Sequence, residues 1–283
     1  MQDLLVNLAS SVLAGVAVWT GQRMLRYHRR ARMRAFFGIR PQAVCLLLLA
    51  RHFSSRNPLS VHRQDVAAAV EVASIINDCG GRADLSLADT DPHRVGQLAE
   101  FCVGGPSANP RTAAHLRALL PGVSFGTGPG PGQIEVGGQT YHRDRGVADY
   151  ALIARVAGPA GGRPVFLIVG QTALANLAAA RLLARDHRQL ARRYGTDRDF
   201  CLVLRVVEPD SYGPDYTEIV ADVSAAARRP VLPPAPAPPA GPAGTGPAAI
   251  DPATNPTDPA ATGPVDPASG PAEPPPERTD PPD

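Results

Sequence analysis

Guanidinium, imidazole and hydroxyl groups gather in one short run, Arg51-His52-Phe53-Ser54-Ser55-Arg56-Asn57. Guanidinium groups grip phosphate or carboxylate oxygens in a planar fork, and an imidazole moves a proton near neutral pH. With the hydroxyls of Ser54 and Ser55, the side chains of Arg51, His52 and Arg56 suit an anionic small molecule. A second run, Gly104-Gly105-Pro106-Ser107-Ala108-Asn109, leads into Pro110. Its glycines let backbone approach a ligand, Ser107 adds a hydroxyl, and Asn109 before Pro110 opens a helix whose free amides favour an anion. A third run, Gly170-Gln171-Thr172, repeats the glycine-to-helix arrangement. His52 is the candidate general acid or base, with Glu100 or Asp89 as its carboxylate partner. Each piece also has a plain reading as a tight turn, a helix cap or a solvated arginine, with Asp65 as a partner for Arg51 or Arg56.

Other chemistries are excluded by what the chain lacks. All 28 basic residues are arginine. That removes a P-loop lysine, a Schiff-base lysine and lysine-dependent acid–base schemes. Neither G-x-G-x-x-G nor H-E-x-x-H occurs. The cysteines, Cys45, Cys79, Cys102 and Cys201, are far apart and never form C-x-x-C, so no metal centre and no cofactor is expected. Cys45, Cys102 and Cys201 fall in apolar runs and read as small core residues. A net charge of +2 and few aromatics argue against nucleic acid as a partner. The polar cluster His142, Arg143, Asp144, Arg145 and Asp149 reads as an exposed strand end.

The elements that must position these runs alternate. Ala43 to Ala50 is a continuous apolar strand of the kind covered on both faces. A helix from Val61 to Cys79, capped by Ser60, is expected next, with Val66, Val70, Ala73 and Ile76 as its apolar stripe and Gly80-Gly81 as its stop. A strand at Ala83 to Ala88, a helical turn from Pro92 to Leu98 and a strand at Glu100 to Val103 follow. Asn109 then caps a helix to Leu120, and Ile134 to Asp144 forms a hairpin turning at Gly137-Gly138. Strands at Tyr150 to Val156 and Val165 to Val169 precede the longest helix, Ala173 to Tyr194, which Gly195 stops. Strands at Phe200 to Val207 and Thr217 to Val223 end the domain. This order predicts an α/β, Rossmann-like, mostly parallel sheet with an antiparallel hairpin excursion over 38–228. In such sheets ligands bind beyond the carboxyl ends of strands, where all three polar runs fall.

Two flanking segments differ in composition. From Leu4 to Gly21 the chain carries no charge, and Arg23, Arg26, Arg29, Arg30, Arg32 and Arg34 follow. At a rise of about 1.5 Å per residue this run reaches roughly 27 Å, enough to cross a bilayer. Arginines after the run place the N-terminus outside and the rest in the cytoplasm, which makes 1–37 a single-pass anchor in the cell membrane. A core helix and a helix lying on the lipid surface are the alternatives. Residues 229–283 are Pro, Ala, Gly, Thr and Asp with few large apolar side chains, the composition of a disordered tail. Its PPAPAPP stretch is a candidate docking motif for a protein partner.

The runs FCVGGPSANPRT, DYALIARV and VFLIVGQTALANLAAARLL resemble those of uncharacterised bacterial Rossmann-like domains, some membrane-tethered, thought to act as sensors or effectors. The resemblance covers about Ala43 to Val207 and implies binding of a nucleotide or similar small molecule. It transfers no catalytic residue. Where those domains carry a longer polar stretch after the late strand, this chain has Ala173-Leu174-Ala175. The expected function is thus a tethered cytoplasmic domain that senses an anionic, nucleotide-like ligand. Nucleotide hydrolysis or transfer through His52, and a non-catalytic scaffold presenting the tail, are the alternatives.

Overall fold

The computed structural model describes residues 2–57, 59–87, 96–126, 132–158 and 161–230, with side chains at Leu13 and from residue 15 onward. Asp89, the helical turn expected from Pro92, most of the 126–132 glycine loop, the tail, and the first half of the apolar run's side chains lie outside these residues. The elements are α1 (Gln2–Phe37), β1 (Val44–Leu49), α2 (Arg63–Asp78), β2 (Arg82–Leu87), β3 (Ala99–Val103), α3 (Pro110–Leu119), β4 (Val123–Phe125), β5 (Ile134–Val136), β6 (Gln139–Tyr141), β7 (Ala148–Gly158), β8 (Gly162–Gly170), α4 (Ala173–Tyr194), β9 (Phe200–Val207), α5 (Pro209–Tyr212) and β10 (Thr217–Asp222).

A seven-stranded sheet runs in the order β10-β9-β7-β8-β3-β1-β2. Strands β1, β2, β3, β8 and β9 point one way, and β7 and β10 the other. The sheet is mostly parallel, as its alternating strands and helices require. Antiparallel pairing is more extensive than one hairpin, because β7 pairs with both β8 and β9, and β10 closes on β9. The Gly158-to-Gly162 connection is far too short for a parallel crossover, which takes a dozen or more residues. The expected hairpin, β5 and β6, sits in a separate three-stranded sheet with β4.

Alternation along the strands divides the core. Leu47, Leu49, Phe101, Val103, Phe166 and Ile168 face α2, α4 and the end of α1, whereas Leu46, Leu48, Cys102, Leu167 and Val169 face α3 and the small sheet. Strands buried on both faces read as unbroken apolar runs for this reason. All four cysteines are free and buried.

The helices correct two expectations. His62, not Ser60, caps α2, its Nδ1 accepting from the Gln64 amide at 3.3 Å. The buried face of α2 is Asp65, Ala68, Ala69, Val72, Ile75 and Ile76, leaving Val66 and Val70 exposed. Alanines let α2 approach the alanine-rich inner face of α4, so closeness rather than bulk sets the orientation of the helix. Helix α3 starts at Pro110 with Asn109 as its cap, and α4 ends at Gly195, whose φ of 79° suits glycine.

Among the described residues no helix is long and apolar enough to cross a membrane. Helix α1 is a single element of 36 residues, and Leu13 and residues 15–30 are exposed. Its last turn is different. Phe36 and Phe37 are fully buried against Phe101, Phe166 and Phe200, so the segment drawn as an anchor ends inside the core. Arg155, itself buried, donates to the carbonyls of Phe36 (3.0 Å), Arg198 (2.9 Å) and Thr196 (2.8 Å). A guanidinium on the last carbonyls of a helix complements its dipole.

Candidate functional site

Strands β8, β3 and β1 are consecutive neighbours and parallel, so their carboxyl ends share one edge. The three polar runs therefore meet. The Arg51 amide bonds the Ala108 carbonyl at 3.0 Å, the Ala50 amide bonds Val103 at 2.9 Å, and the Gly104 amide bonds Ile168 at 2.9 Å. Gly104 has φ +107° and lies so close to Ala50 that a Cβ would stand 2.3 Å from the alanine methyl. Gly170 lies against the first turn of α4, where a Cβ would meet the Ala175 methyl at 2.7 Å.

Much of the polarity at this edge is already committed. Asn109 is fully buried, accepts from Thr112 N at 3.0 Å, and donates to the carbonyls of Leu48 (3.3 Å) and Val103 (3.1 Å). It caps α3 and bridges the ends of β1 and β3. Gln171 accepts from Tyr150 N at 2.8 Å and donates to the Tyr141 carbonyl at 2.8 Å, tying β8 to β7 and to the small sheet. Thr172 caps α4 through Ala175 N (3.1 Å) and donates to Asp149 Oδ2 (2.6 Å). Asp149 is buried and also takes Arg143 Nε at 2.7 Å, so part of the cluster expected at an exposed strand end is an internal ion pair. These residues build the edge more than they offer it.

The exposed part of the edge is the first loop and the second loop's tip. Arg51, Ser54, Arg56 and Ser107 are exposed, and His52, Ser55 and Gly105 are half-buried. The loop keeps its shape through its own bonds, His52 N to Ser60 O at 2.8 Å and Leu59 N to Asn57 Oδ1 at 2.9 Å. Beneath it lies a group that sequence reading passed over except as an arginine partner. Asp65 is buried and accepts from Asn176 Nδ2 at 2.7 Å, while Asn176 Oδ1 takes the Gly170 amide at 2.5 Å. A relay therefore runs from the end of β8 through α4 to α2. Burial raises the Asp65 pKa above the ordinary carboxylate value, opposed by the Asn176 hydrogen bond and the nearby His62 and His52.

The rings of His52 and His62 stand 5.3 Å apart. Because His62 Nδ1 accepts an amide proton, its ring proton belongs on Nε2. His52 Nδ1 is enclosed without a hydrogen-bond partner. Asp65 is the buried carboxylate within electrostatic reach of His52, though His52 Nδ1 makes no hydrogen bond to it. Glu100 is not: it lies on the α3 face of β3 with Cys102 and pairs with His115 Nε2 at 2.8 Å. The alternation of β3 separates it from the α2 face. A carboxylate three residues into an alanine-rich helix was the available signal for Asp65, hidden by the assumption that the valines faced inward.

A pocket of about 160 Å³ lies at the opposite edge, where Gly38, Arg40, Cys45, Ala99 and Arg163 surround the starts of β1, β3 and β8. It is separate from the three loops. Burial pushes the Cys45 thiol there up to about 11, which leaves it protonated at neutral pH. Compared with protein-family models, with curated proteins and with solved structures, the chain matches none.

Proposed function

We propose that this chain is a membrane-tethered, Rossmann-like domain that binds an anionic, nucleotide-like small molecule at the carboxyl edge of β1, β3 and β8 and serves in sensing or signalling. The observation that carries this reading is the meeting of the three loops at one edge, with Asp65, His52 and His62 beneath them. Arg51, Arg56, Ser54, Ser55 and Ser107 supply donors for phosphate oxygens, and Asp65 is an acceptor for a hydroxyl or amine of the ligand. The α4 N-terminus contributes less to anion binding than its position suggests, because Asp65 and Asp149 already compensate its dipole.

Membrane attachment rests on α1. Leu13, Val16, Val18 and Trp19 are all exposed, and at about 100° per residue they spread over more than half of the helix circumference. The arginines begin one turn later, with Arg23 over the Trp19 ring at 5.4 Å. By the positive-inside rule that arrangement supports an N-terminus outside and an α/β domain in the cytoplasm.

The test uses the full chain in nanodiscs against a panel of nucleotides and their phosphate-free nucleosides. A ligand at a hundred times its Kd stabilises by about 2.7 kcal/mol, a rise of roughly 5–10 °C in Tm for a domain of this size. The expected outcome is such a shift with a phosphorylated ligand, lost in Arg56→Ala. A flat response across the panel rejects the proposal. The second reading, hydrolysis or transfer on the same ligand, is favoured by one feature: an enclosed His52 Nδ1 near a buried carboxylate. Turnover abolished by both His52→Ala and Asp65→Asn would establish it, and binding without turnover would remove it.

A further inference from the structure

On the other face of the sheet, under α3, three chemically different donors meet. Glu100 and Cys102 are two apart on β3 and so share a face, and His115 descends onto them from α3. One ligand atom from each lies within 4.8 Å of the other two, and all three residues are buried. Glu100 Oε2 takes His115 Nε2 at 2.8 Å, and Arg111 Nε stands 3.6 Å from the same oxygen. Glu100 Oε1 is enclosed and has no hydrogen-bond partner, although Glu100 itself is fully buried. Thr112 Oγ1, three residues before His115 on the same helix and in a fully buried residue, is also without one. Buried oxygens are rarely left in this state, because each costs about 1–3 kcal/mol. An ion-pair triad of Glu100, His115 and Arg111 accounts for Oε2 but leaves both orphaned oxygens and the adjacent thiol unexplained.

We propose that Glu100, Cys102 and His115 form a binding site for a divalent transition-metal ion of the zinc type. A mixed sulfur, nitrogen and oxygen donor set in a closed interior suits a tetrahedral structural ion. Glu100 binds through Oε1, His115 through Nε2, and Cys102 as a thiolate, its proton passing to solvent as the metal–sulfur bond forms. A water or another oxygen donor would complete the four-coordinate set. The carboxylate and thiolate balance the ion's two charges. Arg111 stands at the margin, with 11% of its side chain exposed and its Nε enclosed 3.6 Å from Glu100 Oε2. The ion would pin α3 to β3, an attachment that the separated cysteines and scarce histidines of the sequence do not advertise. It shares no residue with the ligand edge.

The test is a Co²⁺ titration of the full chain in detergent after removal of metal by chelation. Expected is a near-ultraviolet thiolate-to-cobalt band with tetrahedral bands in the visible, saturating at one equivalent and displaced by Zn²⁺. Cys102→Ser removes the thiolate band, His115→Gln weakens binding at least about tenfold, and Cys45→Ser leaves the spectrum unchanged. Arg111→Gln keeps every proposed ligand and strengthens binding by removing a competing cation. Absence of the thiolate band in the unmodified chain overturns the proposal even if variants misfold. So does survival of the band in Cys102→Ser, or weaker binding in Arg111→Gln.

Discussion

Asp65 shows how a single side chain can oppose the stability of the fold that holds it. Its folded pKa is raised above the ordinary 3.8, chiefly by burial. Its contribution is therefore fully present below pH 3.8 and lost as pH rises through the folded value. Asp65→Asn, which keeps an acceptor for Asn176, is expected to be more stable than the unmodified chain at neutral pH. Denaturant titrations at several pH values check this: the gap should close below pH 3.8, and a gap that widens there refutes it. If Asp65 serves the ligand, the same variant loses binding while gaining stability, the usual trade at functional sites. The three loops are legible in the sequence, but which of their side chains are already bonded within the fold is not. Asn109, Gln171 and Thr172 look like binding groups by type, yet their hydrogen bonds go to strand ends and helix caps. Nothing local in a sequence tells whether an amide's donors are already taken.

At the scale of elements, periodicity was a sound guide to type and a poor one to orientation. The long helix α4, its stop at Gly195 and the hairpin at Gly137-Gly138 were all legible, because their signals are local. The inner face of α2 was not, since helix-to-helix closeness favoured alanine over valine. Close approach also governs two glycines. Gly170→Ala should destabilise by on the order of 2 kcal/mol, because its methyl would sit 2.7 Å from that of Ala175. Gly104→Ala should be worse, adding strain at φ +107° to a 2.3 Å clash. Equilibrium unfolding measures both, and a loss under about 0.5 kcal/mol at either position refutes the argument. Arg155→Ala tests the seam between α1 and the sheet. Losing charged hydrogen bonds to buried carbonyls of Phe36, Thr196 and Arg198 is expected to cost about 3 kcal/mol or more. Arg155→Lys, which has no fork to reach three carbonyls, should recover only part of it.

Across the whole molecule, the alternation of strands and helices identified the mixed α/β class, and the strand order came only with the structure. Which strands neighbour which depends on connections of every length; the short Gly158-to-Gly162 turn marked β7 and β8 as partners, but β9 beside β7 had no such marker. The meeting of the three loops follows from that order, since β8, β3 and β1 are adjacent. The proposed attachment to a bilayer is tested on the chain as a whole: deletion of 2–24 should shift the protein from liposome-bound to free in a flotation gradient. Flotation unchanged by the deletion would refute the anchor. Between Gly21 and Phe37 the helix is unbroken, a rod of roughly 24 Å at 1.5 Å per residue, and its end is clamped by Arg155 and the buried Phe36 and Phe37. A rod joined to a sheet without a swivel transmits torque. Rolling or tilting of α1 within its surroundings would turn the whole sheet with it, so the orientation of the loop edge becomes a mechanical readout of the helix rather than a free variable.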